Sequence, residues 1–306
     1  MEYVTFKPLR KIKIQHEGYN MSFINHPDHK NQYLATIRVS CKTTDCEYPS
    51  VENRVYLVRL DSTFQVLESN YLLEPARKIY TSYTTGLEDC RLMNGNTMTG
   101  VLLDNSEYWI PEMCMCQFNR DNYEITKITV FNTNTGEPKP EKNWLVLNTS
   151  NVMNDNVLFM LYSYEPFRIM SVNVNTGECQ VVHFQKIFNL DNCEVHGGAC
   201  VYLERERKYL VVVRIISNHK YMFSMWIMLN EQYKVCGTSK PFLFSDHGGG
   251  GDSNSKDKDV ELYEMCMSLV EKKESLYASL SINDQEIYVY EFLLKDIISK
   301  TSMDNI

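Results

Sequence analysis

The chain has 306 residues, a net charge of −8, an apolar fraction of 43%, and 20 Tyr with 13 Phe. That length holds one large domain or two small ones, and the aromatic content favours sheet over helix. No basic tract exceeds Arg10-Lys11 plus Lys13, and no window approaches the roughly 18 apolar residues of a membrane span, so neither nucleic acid nor a membrane is expected as a partner. Residues 1–7 lack the apolar run of a secretory signal, so a cytoplasmic protein is expected. The ten cysteines form no C-x-x-C pair and mostly lie in apolar runs, where a thiol is a small buried hydrophobe. Cys114-x-Cys116 and seven histidines supply ligand types without zinc spacing, so no metal or cofactor is expected. The sequons at Asn20 and Asn148 carry no weight in a cytoplasmic chain.

In chain order, 19–24 and 33–39 read as paired strands around a turn-rich 25–29, with Arg38 near the end of the second. The runs 54–60 and 63–67 continue the pattern across Asp61-Ser62. Next comes Thr85-Gly86-Leu87-Glu88-Asp89-Cys90-Arg91-Leu92, the start of a strand that carries two acids and an arginine. Regular alternation puts Leu87, Asp89 and Arg91 on one face and Glu88 and Cys90 on the other, so Asp89 and Arg91 are expected to project together. Asn94-Gly95-Asn96 signals a hairpin that returns through 97–103.

Strand-like runs follow at 107–110, 113–118 and 123–131, and Glu141-Lys142-Asn143-Trp144 precedes a hairpin of 157–163 with 168–174. Further runs lie at 195–199, 209–215 and 221–228. The glycine-rich 245–259 lacks the G-x-x-x-x-G-K-[ST] pattern of a phosphate loop and reads as a flexible surface loop. A last strand pair occupies 276–284 and 288–292, and 293–306 is expected to be a short helix or a frayed tail.

Apolar strands starting near 33, 97, 157, 208 and 275 recur every 50 to 65 residues or so, each beside a polar motif. That spacing fits an all-β, five-bladed β-propeller of about four strands per blade, with 1–292 as one catalytic domain. A two-domain β-sandwich is the alternative. In a propeller, polar motifs at corresponding places converge on one axial pocket.

Gly86-Leu87-Glu88-Asp89-Cys90-Arg91 resembles the G-x-E-D-P-R motif of the β-mannoside phosphorylases, glycoside hydrolase family 130, and of the related β-1,2-mannosyltransferases. Further likenesses follow in the family's order. Tyr19-Asn20-Met21-Ser22 resembles its N-P-S segment, and Glu141-Lys142-Asn143-Trp144 a lysine-bearing segment. Tyr162-Ser163-Tyr164-Glu165-Pro166-Phe167-Arg168 resembles Y-S-x-x-P-x-R, His196-Gly197-Gly198-Ala199 resembles R-G-G-T, and Ser281-Ile282-Asn283-Asp284 resembles S-Y-G-x-x-D. The resemblance implies a five-bladed propeller that acts on β-mannosidic or similar bonds with inversion, by phosphorolysis or by glycosyl transfer. It implies Asp89 as general acid, with the proton passing through a hydroxyl of the bound mannose. Arg38, Glu88, Arg91, Tyr162 and Asp284 would bind the sugar. Lys142, Asn143, Arg168 and His196 would bind phosphate or the donor, so the implied partners are a carbohydrate with inorganic phosphate or a nucleotide sugar. Self-association into a homo-oligomer is left open.

The residue chemistry sets a condition. An aspartate with an ordinary pKa of about 3.9 has to be raised to act as an acid near neutrality, a differential of about 3–4 kcal/mol. Burial and Glu88 push that way, and Arg91 on the same face opposes it. The sequence departs from the family pattern at Cys90 for proline, His196 for arginine and Ala199 for threonine, departures that touch phosphate binding more than sugar binding. Plainer roles stand beside these: Glu88 and Asp89 as turn caps, Lys142 and Arg168 as surface cations paired with Glu141 and Glu165, His196 and Asp284 as turn residues. A hydrolase with a carboxylate base, and a glycan- or protein-binding module without turnover, are the alternative functions.

Overall fold

The computed structural model describes residues 4–43, 50–76, 84–105, 110–133, 140–147, 156–186, 193–217, 221–244 and 263–301. The strand expected at 107–110, apart from Ile110, the glycine-rich 245–259 and Asn148 lie outside these residues. The chain begins with β1 (Val4–Thr5) and β2 (Arg10–Lys13), which join the last two blades.

Blade 1 is β3 (Tyr19–Asn25), β4 (Tyr33–Thr43), β5 (Ser50–Leu60) and β6 (Val66–Tyr71), with β7 (Thr84–Thr85) beside β5. Blade 2 is β8 (Leu87–Leu92), β9 (Thr97–Leu102), β10 (Glu112–Asn119) and β11 (Glu124–Val130). Blade 3 is β12 (Leu145–Val146), β13 (Val157–Tyr164), β14 (Phe167–Asn173) and β15 (Cys179–Gln185). Blade 4 is β16 (Cys193–Leu203), β17 (Lys208–Ser217) and β18 (Tyr221–Asn230), edged by β19 (Val235–Thr238), β20 (Phe242–Leu243) and β1. Blade 5 is β21 (Glu264–Lys272), β22 (Ser275–Ile282) and β23 (Glu286–Leu293), and β2 supplies its fourth strand. This is a five-bladed β-propeller.

The ring closes without a single core. Five apolar clusters fill the five gaps between blades, because each sheet presents apolar side chains on both faces. Between blades 4 and 5, Trp226, Phe242 and Phe244 pack with Leu280 and Phe292. Helix α1 (Leu294–Ser299) adds Leu294 and Ile297 to the same cluster. Between blades 5 and 1, Val289 meets Phe23, Tyr33 and Phe64, the last two stacked at 4.4 Å. The strand expected at 63–67 begins later, at Val66, because Asp61 Oδ1 accepts from the Thr63 and Gln65 amides and folds 61–65 into a turn.

The innermost strands carry matching irregularities. Against their second strands, β3, β8, β16 and β21 each shift register once, between Tyr19 and Ser22, Glu88 and Arg91, Gly197 and Ala199, and Cys266 and Ser268. A bulge re-aims side chains locally, so polar groups can face the axis from strands otherwise buried on both faces.

Candidate active site

The first residues of the five innermost strands, or those just before them, gather at one mouth of the axis. Left-handed backbone marks the place: Asn20 (φ 53°), Asp89 (φ 50°), Asn143 (φ 64°), Asn283 (φ 53°) and Asp284 (φ 50°) come from blades 1, 2, 3 and 5. Asn and Asp tolerate this conformation better than other side chains bearing a Cβ; the other left-handed residues, Asn31, Phe64, Tyr123, Asn156, Arg207, Tyr233 and Lys273, lie in turns and loops elsewhere. Gly86 (φ +83°) begins the blade 2 segment where an added Cβ would strike the Asn53 carbonyl oxygen. Its amide donates to Asp104 Oδ2 at 3.0 Å.

Blade 1 supplies the bed for the two acids. Arg38 Nη1 lies 2.9 Å from Asp89 Oδ1 and 3.1 Å from Glu88 Oε2, and the three side chains are only 14–19% exposed. Asn20 Nδ2 donates to the same Asp89 Oδ1 at 2.6 Å. Among the described residues Asp89 Oδ2 accepts no hydrogen bond. From Arg38 the network runs back to Glu88 in a closed loop. Arg38 Nη2 donates to the Tyr19 hydroxyl (2.7 Å), which shares a hydrogen bond with Ser40 Oγ (2.6 Å). Ser40 donates to Asn53 Oδ1 (2.7 Å), and Asn53 Nδ2 donates to Glu88 Oε2 (3.3 Å). The Arg38 guanidinium also stacks on the Tyr19 ring at 4.5 Å.

This bed sets the charges. Burial holds the Glu88 carboxyl above the ordinary glutamate range; Arg38 opposes that and the Asp89 carboxylate adds to it. Burial works against the Arg38 charge, but the Asp89 and Glu88 carboxylates more than compensate and hold it firmly protonated.

Arg91 does not join Asp89. The bulge at 88–91 breaks the alternation that would have put both on one face. Arg91 is instead buried on the axis, its Nη1 donating to the carbonyls of Gly198 in blade 4 and Met267 in blade 5, the latter at 2.6 Å. Burial pushes its pKa down. Below it lies a cavity of about 360 Å³ lined from all five innermost strands, by Phe23, Leu92, Val146, Val201 and Met267 among others. Neither acid lines that cavity, so Arg91 sits between it and the mouth.

Blades 3, 4 and 5 complete the mouth. Lys142 is exposed and near enough to act electrostatically on both Glu88 and His196. Asn143 accepts the Tyr164 hydroxyl at its carbonyl (3.2 Å), and an added Cβ at Gly197 would strike both of those oxygens. His196 contacts Glu194 at 3.3 Å; burial lowers its pKa, with Arg214 and Lys142 acting the same way and Glu194 opposing. It is therefore largely neutral near pH 7, not the protonated donor that could have replaced an arginine. Asp284, exposed at the rim, is held above the usual aspartate range by desolvation, with Arg38 opposing and Asp89 adding.

Two expected ligands have partners of their own. The Arg168 guanidinium lies over the Phe184 ring on outer strand β15, 5.7 Å from its centre. Tyr162 donates to Glu141 Oε1 at 3.2 Å and meets the edge of buried Trp144. Tyr19, Asn53, Arg214 and Tyr263 belong to the mouth without having been singled out as site residues. For Arg214 a signal existed, an arginine inside the apolar run 209–215. Among the described residues no three His, Cys, Asp or Glu side chains form a metal-sized cluster.

No protein-family model matches the chain, and no curated protein is similar to it in sequence. Solved structures do match. The β-1,2-mannobiose phosphorylase of Listeria innocua, in complex with β-1,2-mannobiose, superposes with a TM-score of 0.62 at 12% identity, over 96% of this chain and 94% of that one. A structure described with the GH130 mannoside phosphorylases, a family said to contain hydrolases of β-1,2-mannosidic linkages in Candida mannan, gives 0.62 at 11%, over 95% and 91%. A hypothetical protein from Leishmania major gives 0.56 at 13%, over 94% and 90%. The chain thus shares, over nearly its whole length, the five-bladed fold of β-1,2-mannoside phosphorylase structures.

Proposed function

We propose that this protein is a carbohydrate-active enzyme that cleaves or forms β-mannosidic bonds with inversion, by phosphorolysis or by the equivalent glycosyl transfer, with Asp89 as general acid. The observation that carries this reading is the posture of Asp89. Its Oδ1 is fixed by Asn20 and Arg38 while Oδ2 accepts no hydrogen bond among the described residues. One anchored oxygen and one open oxygen suit a carboxyl that must present a proton in a set direction. In phosphorolysis the bond from the anomeric carbon to the leaving oxygen breaks, and that oxygen takes the proton from Asp89. A phosphate oxygen attacks the anomeric carbon from the other face, giving an α-sugar 1-phosphate.

The acid has to be protonated beside a guanidinium. Glu88, on the same guanidinium, is held above the ordinary glutamate range by burial and by the neighbouring Asp89 carboxylate, with Arg38 opposing. The cations lie across the mouth, with Lys142 and Arg214 on blades 3 and 4 facing the acids of blades 1 and 2. That division suits a neutral sugar on one side and an anion on the other.

A second reading has one observation behind it. Asp284, held above the usual carboxylate range and electrostatically coupled to Asp89, could serve as the base of an inverting hydrolase. Incubation with β-1,2-mannobiose separates the readings. Sugar 1-phosphate made only when phosphate is present supports phosphorolysis, and free mannose made without phosphate supports hydrolysis. Turnover with GDP-mannose and an acceptor supports transfer, and no product under any condition contradicts an enzyme of this class.

A further inference from the structure

Arg214 lies on β17 directly opposite His196 of β16 in the register of blade 4. Its Nη1 donates to the Tyr263 hydroxyl at 2.6 Å, and its guanidinium carbon stands 5.0 Å from the centre of that ring. That is its one side-chain hydrogen bond among the described residues, although a guanidinium has five N–H donors. Nε is buried without a partner. No carboxylate lies within ion-pair distance among the described residues. Glu264 lines the same water-sized void without bonding to it, and Asp284 acts on it only at longer range. The contrast with Arg38, neutralised by two carboxylates, is direct.

A half-buried guanidinium with no carboxylate at ion-pair distance among the described residues is costly to hold, and here Lys142 brings a second positive charge to the same side of the mouth. Tyr263 ties this corner to the acids, since Arg214, Asp284 and Asp89 all act on its hydroxyl. We infer that Arg214, braced by Tyr263, is the seat of the phosphoryl group in this site and the residue that selects a phosphoryl oxygen over water as the attacking or donor group. With Nε buried and one Nη1 hydrogen on Tyr263, the second Nη1 hydrogen and Nη2 remain as the paired donors for two phosphoryl oxygens. This rests on the reading of the mouth as a phosphorylase or transferase site. It adds a guanidinium, on a strand no motif had marked, to the cations that the resemblance implies.

The test titrates inorganic phosphate, and separately GDP-mannose, into the full chain and into Arg214→Gln, Arg214→Lys and Tyr263→Phe, with mannose titrated as the control. Arg214→Gln is expected to weaken the phosphoryl ligand about 100-fold, for the loss of two charge-assisted hydrogen bonds. Arg214→Lys, which keeps the charge and loses the fork, is expected to weaken it about 10-fold. Mannose affinity is expected to change less than about 3-fold, as for a residue outside the sugar contacts. The same loss with GDP-mannose in a protein that ignores inorganic phosphate also supports the seat and names the donor as its source. Unchanged phosphoryl affinity in Arg214→Gln overturns this inference and leaves the phosphorylase reading standing. If that variant does not fold, unchanged affinity in Arg214→Lys overturns it equally. A wild-type protein that binds mannose or β-1,2-mannobiose but neither phosphoryl ligand overturns both.

Discussion

Replacing Arg91 by Met distinguishes a sugar ligand from a structural tie. The wild-type guanidinium joins β8 to the backbones of β16 and β21 through two charge-assisted hydrogen bonds across the axis. Bonds of that kind contribute about 1.5–3 kcal/mol each, so the gross loss is about 3–6 kcal/mol. Part is returned because Met also relieves the burial of a cation whose Nη2 has no partner, leaving a net cost of about 2–4 kcal/mol. With an unfolding entropy of roughly 2.1 cal/mol/K per residue, a 306-residue chain carries about 0.6 kcal/mol/K, so Tm falls by about 3–6 °C. Scanning calorimetry checks the shift, and a mannose titration at a temperature where the variant is folded checks the site. The affinity is expected to stay within about 3-fold of wild type. An unchanged Tm together with an affinity loss beyond about 10-fold would refute the reasoning and return Arg91 to the sugar.

Two further outcomes follow from the same geometry. Because the folded Glu88 carboxyl is held above its ordinary value of 4.5, the native state binds its proton more tightly than the unfolded chain does. Wild-type stability from this group is therefore full below about pH 4.5 and declines as pH rises through the folded value, whereas Glu88→Gln has no such loss. The Tm of Glu88→Gln minus that of wild type should grow from pH 4 to pH 7.5, and a gap that narrows would contradict the direction of the shift. Gly197→Ala drives a methyl group into the Tyr164 hydroxyl and the Asn143 carbonyl, at an expected cost of about 1–3 kcal/mol read from urea midpoints. A neutral result there would mean that the contact between blades 3 and 4 is slack.

The period of the fold was legible because one class of strand is regular. The apolar runs starting near 33, 97, 157, 208 and 275 are the second strands of the five blades, β4, β9, β13, β17 and β22. These are mostly buried and lie near the axis, so their apolar runs are long. The closure was not legible. β2 is four mostly exposed residues whose partners lie at 288–291, and nothing local in Arg10-Lys11-Ile12-Lys13 announces that pairing. β12, two residues long, left no pattern to read.

At the site, ordered motifs directed attention to Glu88, Asp89, Lys142, His196 and Asp284, and the contacts and electrostatic couplings of the structure relate these residues at one mouth. The pairing of Asp89 with Arg91 failed because regular alternation was assumed where the strand is bulged and Asp89 is left-handed. Arg38, in the middle of β4 of the adjacent blade, takes the place Arg91 had been given. Asn53, Arg214 and Tyr263 belong to no motif, and their part in the site comes only from blades meeting in space.

The central claim is that Asp89 delivers the proton in a phosphate-dependent cleavage of a β-mannosidic bond. Its most direct test follows β-1,2-mannobiose with phosphate by ³¹P and ¹H NMR, for wild type and for folded Asp89→Asn. The account predicts α-mannose 1-phosphate from wild type, and a rate in Asp89→Asn lower by about 10²–10⁴-fold with mannose binding retained. An Asp89→Asn protein that forms the sugar 1-phosphate as fast as wild type would contradict it.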